Sequence, residues 1–107
     1  MVDRTKLEAM LAAGNDNVLV RFALGNNYMK AKEHEKAAEQ FQRATELDPT
    51  YSAAWKNWGR CLAASGHQDE ARQVFLRTLE VARGKGDKQI ERETGVFLKR
   101  LGAVAEK

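Results

Sequence analysis

The chain repeats itself at a spacing of 34 residues, and this feature limits its possible folds more than any other. Sliding the sequence by 34 positions places Gly25 on Gly59, Ala37 on Ala71, Phe41 on Phe75, Arg43 on Arg77 and Glu46 on Glu80. A fixed period of this length is typical of proteins in which each supersecondary unit buries its apolar face against the next one. The sequence therefore predicts a stack of repeats.

The spacing of apolar residues within each unit is helical. The positions i, i+4 and i+7 are filled by Ala37, Phe41 and Ala44 in one block and by Ala71, Phe75 and Thr78 in the other. A longer C-terminal stripe consists of Ile90, Thr94, Phe97, Leu101 and Val104. This period predicts amphipathic helices. The single proline, Pro49, and most of the glycines fall between these blocks, so they separate helices and leave no room for strands.

Glycines and polar residues mark where the helices should end and begin. We expect Gly66 to end one helix with a left-handed cap, Gly84 and Gly86 to end another, and Asp87 to cap the start of the last. Leu7 precedes a glycine and asparagine turn and belongs to a short N-terminal helix. The predicted segments are an N-terminal helix at 5–13, repeat one at 18–51, repeat two at 52–85 and a capping helix at 87–105.

Both units resemble the tetratricopeptide repeat, whose pattern is W-x2-L-G-x2-Y followed by A-x3-F, A and P. The first unit supplies Leu24, Gly25, Tyr28, Ala37, Phe41, Ala44 and Pro49. The second unit supplies Trp55, Gly59, Ala71 and Phe75. The departures from the pattern are Arg21 at the first tryptophan position, and Trp58, Leu62, Thr78 and Arg83 in the second unit.

The resemblance implies an all-α protein, an α-solenoid of two tetratricopeptide helix–turn–helix repeats forming one domain over 1–107. Counting back 34 residues from Phe41 reaches Leu7, so the N-terminal helix resembles a half-repeat. Arg83 replaces the proline that would end the second unit, which predicts a longer helix there and a C-terminal capping helix that starts two residues late. We expect Arg21 to bury only its stem and to reach solvent.

Composition and charge exclude several classes of protein. A chain of 107 residues with 43% hydrophobic residues has the size and apolar content of one folded domain. Its net charge of +3 is small compared with that of dedicated nucleic-acid binders. The only cysteine, Cys61, rules out an intrachain disulfide, and no apolar run is long enough for a signal peptide or a membrane span. We expect a cytoplasmic protein without membrane contact, and we favour a monomer.

No residue constellation indicates catalysis or a cofactor. His34 and His67 fall in the turns between paired helices, without a nucleophile and an orienting group beside them. Cys61 is interpreted as a buried small apolar side chain, with a reactive thiol as the less favoured alternative. Spacings for metal ligands and phosphate-binding glycines are absent from the sequence. We therefore expect a protein that is not an enzyme and that uses no cofactor or metal.

The resemblance also indicates where a partner would bind. Tetratricopeptide proteins line a concave groove with the first helix of each unit, and the groove accepts peptide segments. The candidate peptide-binding residues are Phe22, Asn26, Met29, Lys30, Lys56, Asn57, Arg60 and Arg92. Family members that bind chaperone tails hold the terminal carboxylate with two asparagines, lysines and an arginine. Asn26 and Asn57 match the asparagines, but Phe22, Gln89 and Glu93 stand where the cationic residues belong.

These observations favour a protein–protein interaction adaptor that binds a peptide segment, acidic or C-terminal, in a basic and apolar groove. An alternative for each cation is a solvated charge on a helix surface, and for each asparagine an ordinary solvated amide. A second alternative is nucleic-acid binding through the same basic groove. It is less favoured because acidic residues are interspersed and no base-reading motif is present.

Overall fold

Helices account for all the regular structure in the computed structural model, which describes residues 3–105 and the side chains up to residue 102. They are α1 Arg4–Ala12, α2 Val18–Lys30, α3 His34–Leu47, α4 Ser52–Ala64, α5 Gln68–Lys85 and α6 Lys88–Ala105. Each helix packs mainly on its neighbours along the chain. No strand occurs within the described range, so the all-α repeat prediction is confirmed. Val104 of the predicted C-terminal stripe lies outside the described side chains.

Three helices begin at a side chain that accepts a hydrogen bond from a free backbone N–H. Asp3 accepts from the N–H of Lys6 at the start of α1, and Asn17 Oδ1 accepts from Val20 at 3.0 Å at the start of α2. Asp87 Oδ1 accepts from Ile90 at 3.2 Å at the start of α6, which confirms the predicted cap. These bonds satisfy donors that a helix leaves unpaired in its first turn.

Two of the three glycines that were expected to end helices lie at helix ends. Gly66 and Gly86 have φ of 85° and 71°, the left-handed conformation expected at such ends. The prediction for Gly84 was wrong, because α5 continues through it to Lys85. The long α5 itself was expected, and its 18 residues exceed the 14 of α3. Lys32, the counterpart of Gly66 in the first unit, adopts φ of 61° although it carries a side chain.

A phenylalanine lying against a glycine closes each of the two helix pairs. The ring of Phe41 on α3 lies against Gly25 on α2. A Cβ atom added to Gly25 would be only 2.5 Å from the nearest carbon of that ring. Phe75 on α5 lies over Gly59 on α4 in the same way, and a Cβ atom added to Gly59 would also be 2.5 Å from the nearest ring carbon. Both rings are at most 1% exposed. Glycine is required at these two positions because the paired helices approach across a ring.

The third glycine of this type has no ring over it. Gly95 follows Gly59 by 36 residues, which is the repeat length plus the two added residues before α6. Nothing lies within 4 Å of a Cβ built at Gly95. Within the described part of the chain, α6 therefore carries the glycine of a first helix, but no second helix places a ring over it.

Arg21 takes the place of the first tryptophan and is held by a carboxylate. Its Nε donates to Asp16 Oδ1 at 2.7 Å, and its Nη1 donates to Gln40 Oε1 at 2.9 Å. The side chain keeps 21% of its surface exposed, so it reaches solvent less freely than the sequence indicated. Arg43 also reaches Asp16, at 3.3 Å, and the two guanidinium groups lower the pKa of that carboxyl. The loop before α2 is thereby tied to α2 and α3.

Adding one methyl group should have opposite effects at the filled and the open glycines. Gly25→Ala and Gly59→Ala drive the methyl into a ring and should lower the free energy of unfolding by about 1–3 kcal/mol. Gly95→Ala meets no atom and should raise it by about 0.5–1 kcal/mol, because alanine is the better helix former. Urea denaturation followed by far-UV circular dichroism measures all three. A loss of stability in Gly95→Ala as large as in Gly59→Ala would contradict this account.

Replacing Lys32 by glycine should stabilise the protein. A left-handed backbone costs a residue with a side chain roughly 1–2 kcal/mol, whereas glycine adopts it freely. After allowing for the greater freedom of glycine in the unfolded chain, Lys32→Gly should add about 0.5–1 kcal/mol. The reciprocal change, Gly66→Lys, should cost about 1 kcal/mol. Thermal denaturation of both variants makes the comparison, and a lower melting temperature for Lys32→Gly would refute it.

Candidate functional site

The first helices of the units, α2, α4 and α6, share one side of the array, where two hydrogen bonds between described side chains link them. Asn57 Nδ2 on α4 donates to Asn26 Oδ1 on α2 at 3.4 Å. Lys56 Nζ on α4 donates to Glu93 Oε1 on α6 at 2.9 Å. We call this surface the first-helix face; its polar and aromatic members are Phe22, Asn26, Lys56, Asn57, Arg60 and Glu93.

The two asparagines differ in accessibility. Asn57 is 7% exposed, whereas Asn26 is half-buried. A buried amide is stable only when it is hydrogen-bonded, and Asn26 supplies that partner. Asn57 therefore contributes mainly to packing between α2 and α4, and Asn26 is the amide that a ligand reaches first.

Lys56 is already paired within the chain. Its side chain is 15% exposed and lies against Glu93, whose side chain is 39% exposed. The hydrogen bond from Lys56 lowers the pKa of the Glu93 carboxyl despite an opposing effect of burial, and the charge of Arg60 adds to the decrease. At neutral pH Glu93 is thus an anion fixed among the cations of the first-helix face. The face is less basic than the count of lysines and arginines predicts.

Two arginines flank an aromatic ring at the C-terminal end of this face. The guanidinium carbons of Arg60 and Arg100 lie 5.3 and 5.7 Å from the centre of the Phe97 ring. Both arginines are exposed on the surface. They border a hollow of about 270 Å³ whose remaining lining is apolar and consists of Ala63, Ala64, Phe75 and Leu101. We call this site the arginine hollow.

Phe22 and Met29 are placed in packing contacts. The Phe22 ring lies 5.5 Å from that of Phe41 and 5.0 Å from that of Tyr51, centre to centre. Met29 is half-buried and packs with the same core cluster as Phe41. Both side chains keep some exposed surface, so they contribute an apolar border to the first-helix face. Lys30, at the end of α2, is exposed.

Arg92 borders a different depression from the other candidates. It is exposed and lines a hollow between α5 and α6 together with Leu79, Lys88 and Gly95. The structure brings together Asn26, Asn57, Lys56 and Arg60 by direct contacts or through Glu93, but it shows no such contact for Arg92. For this reason the peptide site proposed below does not depend on Arg92.

Groups with reactive chemistry are isolated or buried. Cys61 is 1% exposed, and burial raises the pKa of its thiol to about 11. His67 has one weak neighbour, Glu70, with 3.9 Å between Nδ1 and Oε1. His34 Nδ1 is buried without a hydrogen-bond partner. Among the described residues, no three histidine, cysteine or acidic side chains are grouped so that they could hold a metal ion.

Comparison with known proteins identifies the repeats. A family model of the tetratricopeptide repeat matches residues 22–88. A TPR repeat-containing protein of Pseudomonas aeruginosa is 50% identical over 95 residues, which cover 89% of this chain and 90% of that protein. The chain belongs to the tetratricopeptide repeat family. The resemblance inferred from the repeated glycines, alanines and phenylalanines is thereby confirmed.

Solved structures share the tetratricopeptide fold. The solution structure of a protein from Bordetella parapertussis has a TM-score of 0.82 and 42% identity, covering 96% of this chain and 90% of that one. YrrB, described as a TPR protein with an unusual peptide-binding site, has a TM-score of 0.68 and 30% identity. That match covers 87% of this chain and 48% of YrrB.

Membership in the family gives the general role. Tetratricopeptide proteins mediate protein–protein interactions and are typically non-enzymatic adaptors. In the part of the chain that the structure describes, no helix combines the length and the apolar character needed to cross a bilayer. Family membership does not specify the partner or the binding face, which depend on the surface side chains of each protein.

Two contacts of the first-helix face were not predicted from the sequence. One is the ion pair of Lys56 with Glu93, a residue noted only as a departure from a carboxylate-binding pattern. The other is the contact of Arg100 with Phe97; Arg100 is on the expected groove side of α6 but not among the candidate peptide-binding residues. The two-residue insertion before α6 was the available signal, because it fixes which residues of α6 face Lys56 and Arg60 on α4.

Cys61 should be unreactive in the folded protein. At pH 8 its thiol is protonated and buried, so a chromogenic disulfide reagent should label it at least about a hundredfold more slowly than in the urea-unfolded chain. Reaction rates measured with and without urea give the ratio. Rapid labelling of the native protein would revive the reactive-thiol alternative.

Proposed function

We propose that this protein is an interaction adaptor that binds a peptide segment of a partner protein along the first-helix face, with an acidic group of the peptide at the arginine hollow. The observation that carries the proposal is the pair of guanidinium groups over Phe97, beside an apolar hollow. A cytoplasmic location and a monomeric state complete the proposal, and the single buried thiol fits a reducing compartment.

The arginine hollow combines the two contacts that an acidic peptide needs. Guanidinium groups bind carboxylates through paired, charge-assisted hydrogen bonds. Stacking against Phe97 pre-orients Arg60 and Arg100, which lowers the entropy that each loses on binding. An apolar side chain of the peptide next to the carboxylate fits against the alanines and Leu101 that line the hollow. An acidic side chain or a terminal carboxylate satisfies these requirements equally.

The rest of the first-helix face fits a peptide backbone. Asn26 offers an accessible amide, which both donates and accepts hydrogen bonds. Phe22 and Met29 offer apolar surface near it. Glu93 acts as an internal competitor, because it occupies Lys56 at 2.9 Å and an acidic ligand must displace it to reach that lysine. Exposed ion pairs contribute at most about 1 kcal/mol each, so the affinity should be micromolar and should decrease with salt.

Among the solved structures, YrrB lends support, since it is a tetratricopeptide protein described as having a peptide-binding site. Nucleic-acid binding through the same face is the weaker candidate. The Lys56–Glu93 pair puts a carboxylate in the middle of the cations, which opposes a polyphosphate backbone. Catalysis is the weakest candidate, because Cys61 is buried with a raised thiol pKa and none of the hydrogen bonds between described side chains joins a histidine to a nucleophile.

Charge reversal should separate the proposed site from the rest of the surface. Arg60→Glu/Arg100→Glu should weaken binding of a partner segment at least about tenfold, because both guanidinium contacts are lost. The matched control is Lys36→Glu/Arg72→Glu, on α3 and α5, which changes the net charge equally and should change affinity about twofold or less. The segment is identified by affinity capture and mass spectrometry, synthesised, and titrated by calorimetry.

Glu93→Gln provides a test in the opposite direction. It removes the negative charge that competes for Lys56 and leaves at most a neutral hydrogen bond between the two side chains, so an acidic segment should bind about three- to tenfold more tightly. A matched control is Glu80→Gln, which makes the same charge change on α5. Equal losses from the two double charge reversals, or weaker binding by Glu93→Gln, would move the site away from the first-helix face.

A further inference from the structure

The repeat places three glycines in equivalent positions on α2, α4 and α6, and only two of them are covered. Phe41 covers Gly25 and Phe75 covers Gly59, each with a ring that occupies the space a Cβ would take. Gly95 has the same place in α6 once the two added residues are counted, and nothing lies within 4 Å of its Cβ position. Among the described residues, α6 thus carries the glycine of a helix pair and no ring covers it.

The surface around Gly95 is a hollow of about 370 Å³ between α5 and α6. We call it the Gly95 hollow, and its lining consists of Leu79, Arg83, Lys88, Glu91, Arg92 and Gly95. A side chain the size of phenylalanine fits such a space. Gly95 lowers the helix propensity of α6, and no atom of the described residues lies within 4 Å of its Cβ position to compensate.

The charge around the Gly95 hollow is positive. Lys88 and Arg92 are exposed, and none of the ion pairs between described residues includes either of them. Arg83 and Glu91 form an ion pair at 3.0 Å and offset each other. The net charge of the lining is therefore +2, from three cations and one anion. A ligand for this surface should carry acidic groups next to its apolar anchor.

We infer that the Gly95 hollow is a second docking site, which takes an amphipathic helix of a partner protein with an aromatic side chain over Gly95 and acidic residues beside Lys88 and Arg92. The incoming helix repeats on α6 the contact that α3 makes with α2 and α5 makes with α4. The arginine hollow plays no part in it, so this inference stands independently of the peptide site proposed above.

The probe is a peptide with the sequence of residues 34–47, which already supplies such a ring to α2, held helical by a hydrocarbon staple on its exposed side. In an acidic form of the peptide, glutamate replaces the exposed Arg43. In the α2–α3 pair Arg43 contacts Asp16 ahead of α2, so this glutamate would lie at the Lys88 end of α6 in the docked peptide. Fluorescence anisotropy should show saturable binding of the acidic form to the intact protein, and weaker binding of the unmodified form. Phe41→Ala in the peptide should reduce affinity at least about tenfold, because it removes the anchor.

Variants of the protein locate the binding. Gly95→Leu fills the hollow with its own side chain and should reduce affinity at least about tenfold, while circular dichroism and melting temperature stay at or above the wild-type values. Lys88→Glu/Arg92→Glu should lower the affinity for the acidic peptide and should also make that affinity less sensitive to salt concentration. The control is Lys36→Glu/Arg72→Glu on the second helices, which should not weaken binding of the helical peptide. Gly95→Leu should reduce affinity equally in an Arg60→Glu/Arg100→Glu background, in which an acidic peptide has lost its cationic contacts at the arginine hollow.

Three results would overturn the inference. The first is the absence of saturable binding by both forms of the peptide, and the second is equal binding by the wild type and Gly95→Leu. The third comes from light scattering of the protein alone: a dimer that becomes a monomer in Gly95→Leu would show that a second copy of the chain occupies the hollow. A monomer in both cases, with peptide binding lost in Gly95→Leu, supports the partner helix.

Discussion

The contact between a phenylalanine ring and a glycine backbone holds each helix pair at a fixed distance, and the other features of the fold depend on that distance. Phe41 and Phe75 can lie at the centres of their pairs only because Gly25 and Gly59 have no side chain. The rings then continue the core from one unit to the next, since Phe41 packs with Cys61 of α4 and Phe75 stacks on Phe97 of α6 at 5.5 Å. Packing within a unit and packing between units thus share the same side chains.

Such contacts are predictable from sequence because they are repeated and local. The 34-residue spacing, the helical period and the caps all depend on residues close in the chain, and the structure confirms the helices they indicate. Gly84 shows the limit of a purely local argument. It resembles a helix end, but α5 continues through it to Lys85 and ends at Gly86, which adopts the left-handed conformation with φ of 71°.

The chemistry of the surface was less predictable, because it depends on contacts between helices. Arg21 was expected to reach solvent, and a carboxylate in the preceding loop holds it at 2.7 Å. Lys56 was expected to bind an acidic ligand. In the structure it already binds Glu93 of α6, which lies 37 residues further along the chain. The Lys56–Glu93 pairing requires the register between α4 and α6, which the two added residues before α6 shift.

The two ends of the array are attached by interactions of different kinds. At the N-terminal end, α1 is held by one buried leucine, Leu7, and by the ion pair of Arg4 with Glu33 at 2.8 Å. At the other end Asp87 caps α6 and also accepts a hydrogen bond from Ser52 Oγ, at 2.9 Å, at the start of α4. In addition, α6 packs on both α4 and α5, whereas α1 packs mainly on α2. The backbone amides of α1 should therefore exchange with solvent through local opening more readily than those in the first turns of α6.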